Sequence, residues 1–163
     1  MKRRLQLDEC AAVIVDMQER ILPMMSGKER LVTKVKALIQ GLLALEVPIT
    51  YAEQYPKGLG RTVPTIDGLL EEIDPIEKLS FSCCGSTSFM EWVRETDCQA
   101  LIIAGIETHV CVLQTALDLL EDGIMPVVVT DAVSSRHEHD TATALSRLAF
   151  FFNDTATTES LLF

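Results

Sequence analysis

Three short, nearly continuous apolar runs bound what this chain can become. Ala11–Val15, Ala100–Gly105 and Val127–Asp131 are rich in branched side chains and lack the apolar–polar alternation of a half-exposed strand. Runs of this kind suit strands of a parallel sheet covered by helices on both faces. Between them the period changes. From Lys28 to Leu45 the residues Leu31, Val32, Val35, Leu38, Ile39, Leu42 and Leu43 form one helical stripe. Further helices are predicted over Asp67–Ile73, Ser86–Thr96, about Thr108–Leu120 and His137–Leu148, with Gly123 as the stop after the fourth. Pro48–Ala52 reads as a second strand and Leu79–Phe81 as a brief third. The polar stretch from Glu53 to Pro64 reads as a loop of the active-site type. Strands alternating with helices give βαβ units with right-handed crossovers. No repeat or linker interrupts them, so residues 1–163 are expected to form a single domain.

Charge and cysteine usage narrow the function classes. Lys+Arg 14 against Asp+Glu 24 leaves a net charge of −10 with no basic stripe, which argues against nucleic acid and anionic membrane as partners. No apolar run is long enough to span a bilayer. Met1–Arg4 is basic, but Leu5–Glu9 is no signal-peptide core. Five cysteines (Cys10, Cys83, Cys84, Cys98 and Cys111) are an odd number without a C-x-x-C pair. Reduced thiols in a cytoplasmic protein are the expectation. The adjacent Cys83 and Cys84 read as packing residues.

In an open parallel sheet, ligands sit beyond the carboxyl ends of the strands. Asp16 ends the first strand, Lys78 lies just before the third, and Cys111 lies in the turn after the fourth, so the fold can unite them at one edge. A thiol in the first turn of a helix feels the positive end of the dipole, which favours thiolate. Unpaired N–H groups at that helix start can hold an oxyanion. Asp16 could take the thiol proton and return it to a leaving amine, with Lys78 keeping the carboxylate ionised. The bland alternatives are a packing cysteine, a capping aspartate and a surface lysine.

Val15-Asp16-Met17-Gln18, Lys78 ahead of Ser80-Phe81, and Gly105-Ile106-Glu107-Thr108-His109-Val110-Cys111-Val112 resemble the motifs of the isochorismatase-like cysteine hydrolases, in the family's order from about residue 8 to 148. The resemblance implies a three-layer α/β/α sandwich around a mostly parallel six-stranded, Rossmann-like sheet. It maps the family's catalytic triad onto Asp16, Lys78 and Cys111. It also implies a cis Ile106–Glu107 peptide, an oxyanion hole from the N–H groups of Glu107 and Cys111, and a homo-oligomer. The activity implied is hydrolysis of a small amide-like molecule through a thioester. Nicotinamidases in this superfamily carry an Asp-x-His…His metal site after the second strand, whereas Glu53–Thr62 holds no histidine. No metal and no cofactor are therefore expected. Two alternatives stay open: vinyl-ether hydrolysis of the isochorismatase kind, which needs no cysteine, and a non-catalytic oligomeric module on the same fold.

Gln54, Tyr55, Phe81 and His109 are candidate pocket residues, with His109 an unneeded general base beside Asp16. Gln18 joins them, though a structural hydrogen-bonding role is preferred for it. Phe81 and Trp92 also suit the core. His137-x-His139 beside Glu138 and Asp140 reads as ordinary helix-start chemistry rather than a metal site. Asp131 is expected to tie down the turn after its strand. Gly58-x-Gly60 lacks the context of a dinucleotide loop. Residues 149–163 are atypical for the family: Asn153-Asp154-Thr155 makes a poor buried strand, Thr157–Leu162 fits the family's turn, and the closing helix stops short.

Overall fold

In the computed structural model, which describes residues 4–152 and 155–163, six strands form one all-parallel sheet in the order β3-β2-β1-β4-β5-β6. In chain order the elements are β1 (Cys10–Val15), α1 (Lys28–Ala44), β2 (Ile49–Gln54), the single turns α2 (Pro56–Leu59) and α3 (Pro64–Asp67), and β3 (Ile76–Lys78). There follow α4 (Thr87–Thr96), β4 (Ala100–Ile106), α5 (Leu113–Glu121), β5 (Met125–Ser134), α6 (Glu138–Phe151), β6 (Thr155–Ala156) and α7 (Thr158–Leu162). The chain winds outward from β1 through β2 to β3, then returns to β4 on the other side of β1. That reversal places a topological switch point between β1 and β4.

Strict period-two alternation sorts the strand side chains into two cores. Ala12, Ile14, Ile102, Ala104, Val127 and Val129 pack with Leu31, Val35, Leu38 and Leu42 of α1. Ala11, Val13, Val15, Leu101, Ile103 and Val128 pack on the opposite face with Phe89 and Val93 of α4, Ala116 and Leu119 of α5, and Leu148 of α6. A three-layer α/β/α sandwich results. Gly105 is indispensable where β4 meets β1: it sits at φ +115° and a Cβ there would collide with the main chain of Val15, its partner in register.

Several sequence expectations are corrected. The third strand is Ile76–Lys78, paired with Ala52–Gln54, so Lys78 ends the strand rather than preceding it. Leu79–Phe81 bends away. The helix expected over Asp67–Ile73 is a single turn starting at Pro64, followed by tight turns through Ile73. The polar loop from Glu53 is shorter, because β2 runs to Gln54 and Pro56–Leu59 is helical. The helix expected from Thr108 opens with a π-helical turn, Thr108–Val112, before α5. β5 extends to Ser134, so Asp131 lies within it; its carboxylate accepts from the Thr158 N–H at 2.7 Å and Oγ1 at 2.9 Å, and so docks α7. Thr157 caps α7 through a capping box with Ser160. The last strand is the two residues Thr155–Ala156, while Asn153 and Asp154, like Met1–Arg3, lie outside the described residues. Of the three consecutive phenylalanines, Phe152 is buried and Phe150 and Phe151 are exposed. No helix among the described residues is long and apolar enough to cross a membrane.

Candidate active site

The chain turns sharply where β1 ends. Asp16 takes a left-handed conformation, φ 53°, which an aspartate tolerates better than most side chains. Its carboxyl is buried at the sheet edge. Two strands away, Lys78 closes β3 in register with Gln54 of β2. The Lys78 side chain is fully buried, and its Nζ donates to Asp16 Oδ2 at 2.8 Å, Gln54 Oε1 at 2.7 Å and the Phe81 carbonyl at 2.9 Å. The Ser80 carbonyl lies further off at 3.3 Å. Leu79–Phe81 thus folds carbonyls back onto the ammonium instead of continuing the sheet. The second carboxyl oxygen, Asp16 Oδ1, is buried and accepts no hydrogen bond. The Cys111 thiol interacts with this same carboxyl.

Cys111 lies in the π-helical turn that follows β4, 7% exposed. The wide turn arranges its main chain unusually. The Glu107 carbonyl accepts from Val110 at 3.1 Å and Val112 at 3.2 Å, but not from Cys111 between them. The Glu107 N–H finds no acceptor among the described residues, and the Ile106–Glu107 peptide is cis. The buried Glu107 carboxylate braces this turn against the end of β5: Oε2 accepts from Arg136 N and Nε, both at 3.1 Å.

Burial dominates the electrostatics. It pushes the Cys111 thiol well above the ordinary range, the Asp16 carboxylate adds to the shift, and Lys78 opposes it. Burial thus works against the thiolate that a helix start favours. The first turn of that helix, Thr108–Val112, is π-helical rather than α-helical. Burial also lifts the Asp16 carboxyl above the usual carboxylate range, against the pull of Lys78 and the Cys111 thiol. Burial alone would lower Lys78, but Asp16 together with Cys83 and Cys111 outweighs it and keeps an ammonium. The site combines a buried thiol, a carboxyl whose Oδ1 accepts no hydrogen bond, and a lysine bonded to Oδ2.

The remaining candidates separate into two groups. Gln54 belongs to the centre through Lys78, and its Nε2 donates to the Leu79 carbonyl at 2.8 Å. Gln18 is fully buried, and its amide is wholly engaged by main chain: Nε2 donates to the carbonyls of Gln54 (3.0 Å) and Gly60 (2.7 Å), while Oε1 accepts from Gln54 N–H (2.8 Å). Substrate contact is closed to it. Tyr55 is half exposed and folds its ring over Gly58. Phe81 contributes its carbonyl to the centre while its ring, 55% exposed, belongs neither to the core nor to a closed wall. His109 is engaged by Ser135 Oγ at 2.9 Å and lies 3.9 Å from Asp140 Oδ2. Cys83 is buried beside α5, its N–H on Thr115 Oγ1, its thiol pushed up to about 12 by burial.

Sequence reasoning missed Glu53 and Arg136. Glu53 is buried in β2, accepting from Thr62 N–H at 2.7 Å and Arg61 at 2.9 Å, and so ties the following loop to the sheet. Its period-two position in β2 was the available signal. Arg136 carried none, since only the fold brings it to Glu107. No group of three or more His, Cys, Asp or Glu among the described residues is placed to hold a metal ion.

Fold and site together define a three-layer α/β protein with an Asp–Lys–Cys cluster at the switch point of a parallel sheet. Residues 10–160 match the isochorismatase domain, and the chain belongs to the isochorismatase family. It is 37% identical over 149 residues to isochorismatase domain-containing protein 2A of Mus musculus, covering 91% of this chain and 71% of that protein. It is 38% identical over 162 residues to isochorismatase domain-containing protein 2 of Danio rerio, covering 98% and 80%. Among solved structures, the MAR1 ribonuclease of Caenorhabditis elegans superposes with a TM-score of 0.91 at 36% identity, covering 98% of this chain and 82% of that one. The YcaC gene product of Escherichia coli, an octameric hydrolase of unknown specificity, gives 0.93 at 25% identity, covering 99% and 81%.

Proposed function

We propose that the protein is a cysteine hydrolase that cleaves the C–N bond of a small amide-like molecule without a metal or cofactor. The observation that carries this reading is an Asp16 carboxyl that interacts with the Cys111 thiol, its Oδ2 held by Lys78 at 2.8 Å and its Oδ1 left without a hydrogen bond. In the first step the thiol proton passes to Asp16 as Sγ adds to the substrate carbonyl carbon. A resting thiol suits this order, because the proton leaves only as the new bond forms. The Glu107 and Cys111 N–H groups receive the developing oxyanion. Asp16 then protonates the departing nitrogen, the C–N bond breaks, and a thioester remains on Cys111. Water, deprotonated by Asp16, adds to the thioester; its collapse releases the acid and returns the proton to the thiol. Lys78 keeps Asp16 anionic between steps.

The test is a screen of small primary and secondary amides, with hits chased by intact-mass detection of an acylated Cys111. Turnover should vanish in Cys111→Ala. Full turnover in that variant would overturn the reading, and survival of isochorismate cleavage in Cys111→Ser would favour the vinyl-ether alternative. The Caenorhabditis neighbour bears the name of a ribonuclease. A net charge of −10 and a buried nucleophile favour a small carbonyl substrate over RNA here. We read the protein as a homo-oligomer, in keeping with the octamer of the E. coli relative and the exposed Leu79, Phe150 and Phe151.

A further inference from the structure

The Lys78 ammonium has three protons, and its three shortest bonds go to Asp16 Oδ2 at 2.8 Å, Gln54 Oε1 at 2.7 Å and the Phe81 carbonyl at 2.9 Å, with the Ser80 carbonyl further off at 3.3 Å. The shortest of these bonds is to Gln54, whose main-chain N–H also favours the ionised Asp16 carboxyl. Its orientation is not arbitrary. Lys78 can only donate and the Leu79 carbonyl can only accept, so the amide must present Oε1 to one and Nε2 to the other. Its backbone is held as firmly. The Gln18 amide grips the Gln54 N–H at 2.8 Å and C=O at 3.0 Å, and Gln18 is itself anchored on the Gly60 carbonyl at 2.7 Å.

Counting donors shows what this arrangement accomplishes. A second ammonium N–H turned onto Oδ1 would compete with the thiol proton for that oxygen and lower its basicity. With one N–H claimed by Gln54 and one by Phe81, only one remains for Asp16, and Oδ1 stays unpartnered. We infer that Gln54 is a positioning residue, acting through Lys78 to keep one oxygen of Asp16 free as the base for Cys111. This rests on the hydrolase reading above, in which Asp16 receives the thiol proton.

Iodoacetamide labelling of Cys111, resolved by peptide mapping between pH 4 and 10, separates the two. If the thiol proton moves internally to Asp16, the thiolate fraction stops depending on pH once Asp16 has ionised. The rate then climbs to a plateau whose onset reports the Asp16 carboxyl and whose height reports its basicity relative to the thiol. Gln54→Met removes the acceptor while keeping the bulk, and Gln54→Asn withdraws it by one methylene. Of the acceptors left to the freed N–H, the Ser80 carbonyl is neutral and Asp16 Oδ1 is charged, so the N–H is expected to turn to the carboxylate, and onset and height should fall together, by about one pH unit and about tenfold. Gln54→Glu keeps an acceptor on Lys78 and adds charge, so its onset should rise while its plateau stays within about threefold of the wild type.

A role in folding alone would not move onset and height by matching factors. The proposal is overturned if Gln54→Met and Gln54→Asn leave both unchanged, or if Gln54→Glu, the variant closest in shape to the native residue, leaves the onset unmoved. If the wild type itself has no plateau and its rate rises tenfold per pH unit throughout, the hydrolase reading fails instead.

Discussion

Lys78 Nζ and Asp16 Oδ2 meet at 2.8 Å with 0% and 3% of their side chains exposed, a salt bridge drawn from two strands separated by a third. Taking two charges out of water is costly, and their attraction offsets that cost only while both are present. Lys78→Met should therefore destabilise the fold by about 3–5 kcal/mol in urea unfolding. The double variant Asp16→Asn, Lys78→Met should regain most of that loss. Additive losses in the double variant would mean that the two charges are not coupled.

Cys111 reactivity should carry the signature of a shared proton. The thiol is held above its ordinary value by burial and by Asp16, and the Asp16 carboxyl is raised by burial. Between those two titrations the wild-type alkylation rate is expected to be flat, with the plateau running past pH 9. In Asp16→Asn the internal acceptor is gone, so the thiol must release its proton to water. The rate should then rise about tenfold per pH unit and overtake the wild type in alkali. Coincident profiles for the two proteins would remove Asp16 as the base.

Asp131 makes a prediction of opposite sign. Burial raises its carboxyl, but the hydrogen bonds from Thr158 and the Lys34 ammonium at 3.2 Å outweigh it, so the folded value lies below the ordinary one. A depressed carboxyl contributes stability that is fully present above its unfolded value of about 3.9 and is lost as pH falls through the folded value. Asp131→Asn should cost about 1–2 kcal/mol at pH 7, and the gap to wild type should close toward pH 2. Urea midpoints across that range measure it. A gap independent of pH would show that the charge is irrelevant and only the shape matters.

The loop from Tyr55 to Thr62 should depend on Glu53. Its buried carboxylate accepts the Thr62 N–H, and loss of that acceptor leaves a buried donor unpaired, worth about 1–3 kcal/mol locally. In Glu53→Ala, hydrogen exchange at the Thr62 amide should accelerate by at least about tenfold while the α1 amides change little. Equal acceleration throughout the chain would mean that the residue supports the whole fold rather than the loop.

The apolar runs and helical stripes decided the layers of this protein. Ala11–Val15 alternates between two cores, and a residue's neighbours along its own strand suffice to predict that. A mostly parallel sheet came within reach because β-rich runs and helices alternate, whereas the strand order did not; Asp16, Lys78 and Cys111 stood out because each lies at or near a strand end. What the sequence could not specify depends on contacts between segments far apart in the chain. Register made Lys78 the last residue of β3 and set it beside Gln54. A wide turn after β4 kept Cys111 from the start of a regular helix, and burial there favours the neutral thiol. Gln18, read as near the site from its place two residues after Asp16, became a clamp only because Gln54 and Gly60 fold around it. Period and propensity are properties of neighbours in sequence; the charge state of a buried group and the choice of its hydrogen-bond partner belong to whatever the tertiary structure packs against it.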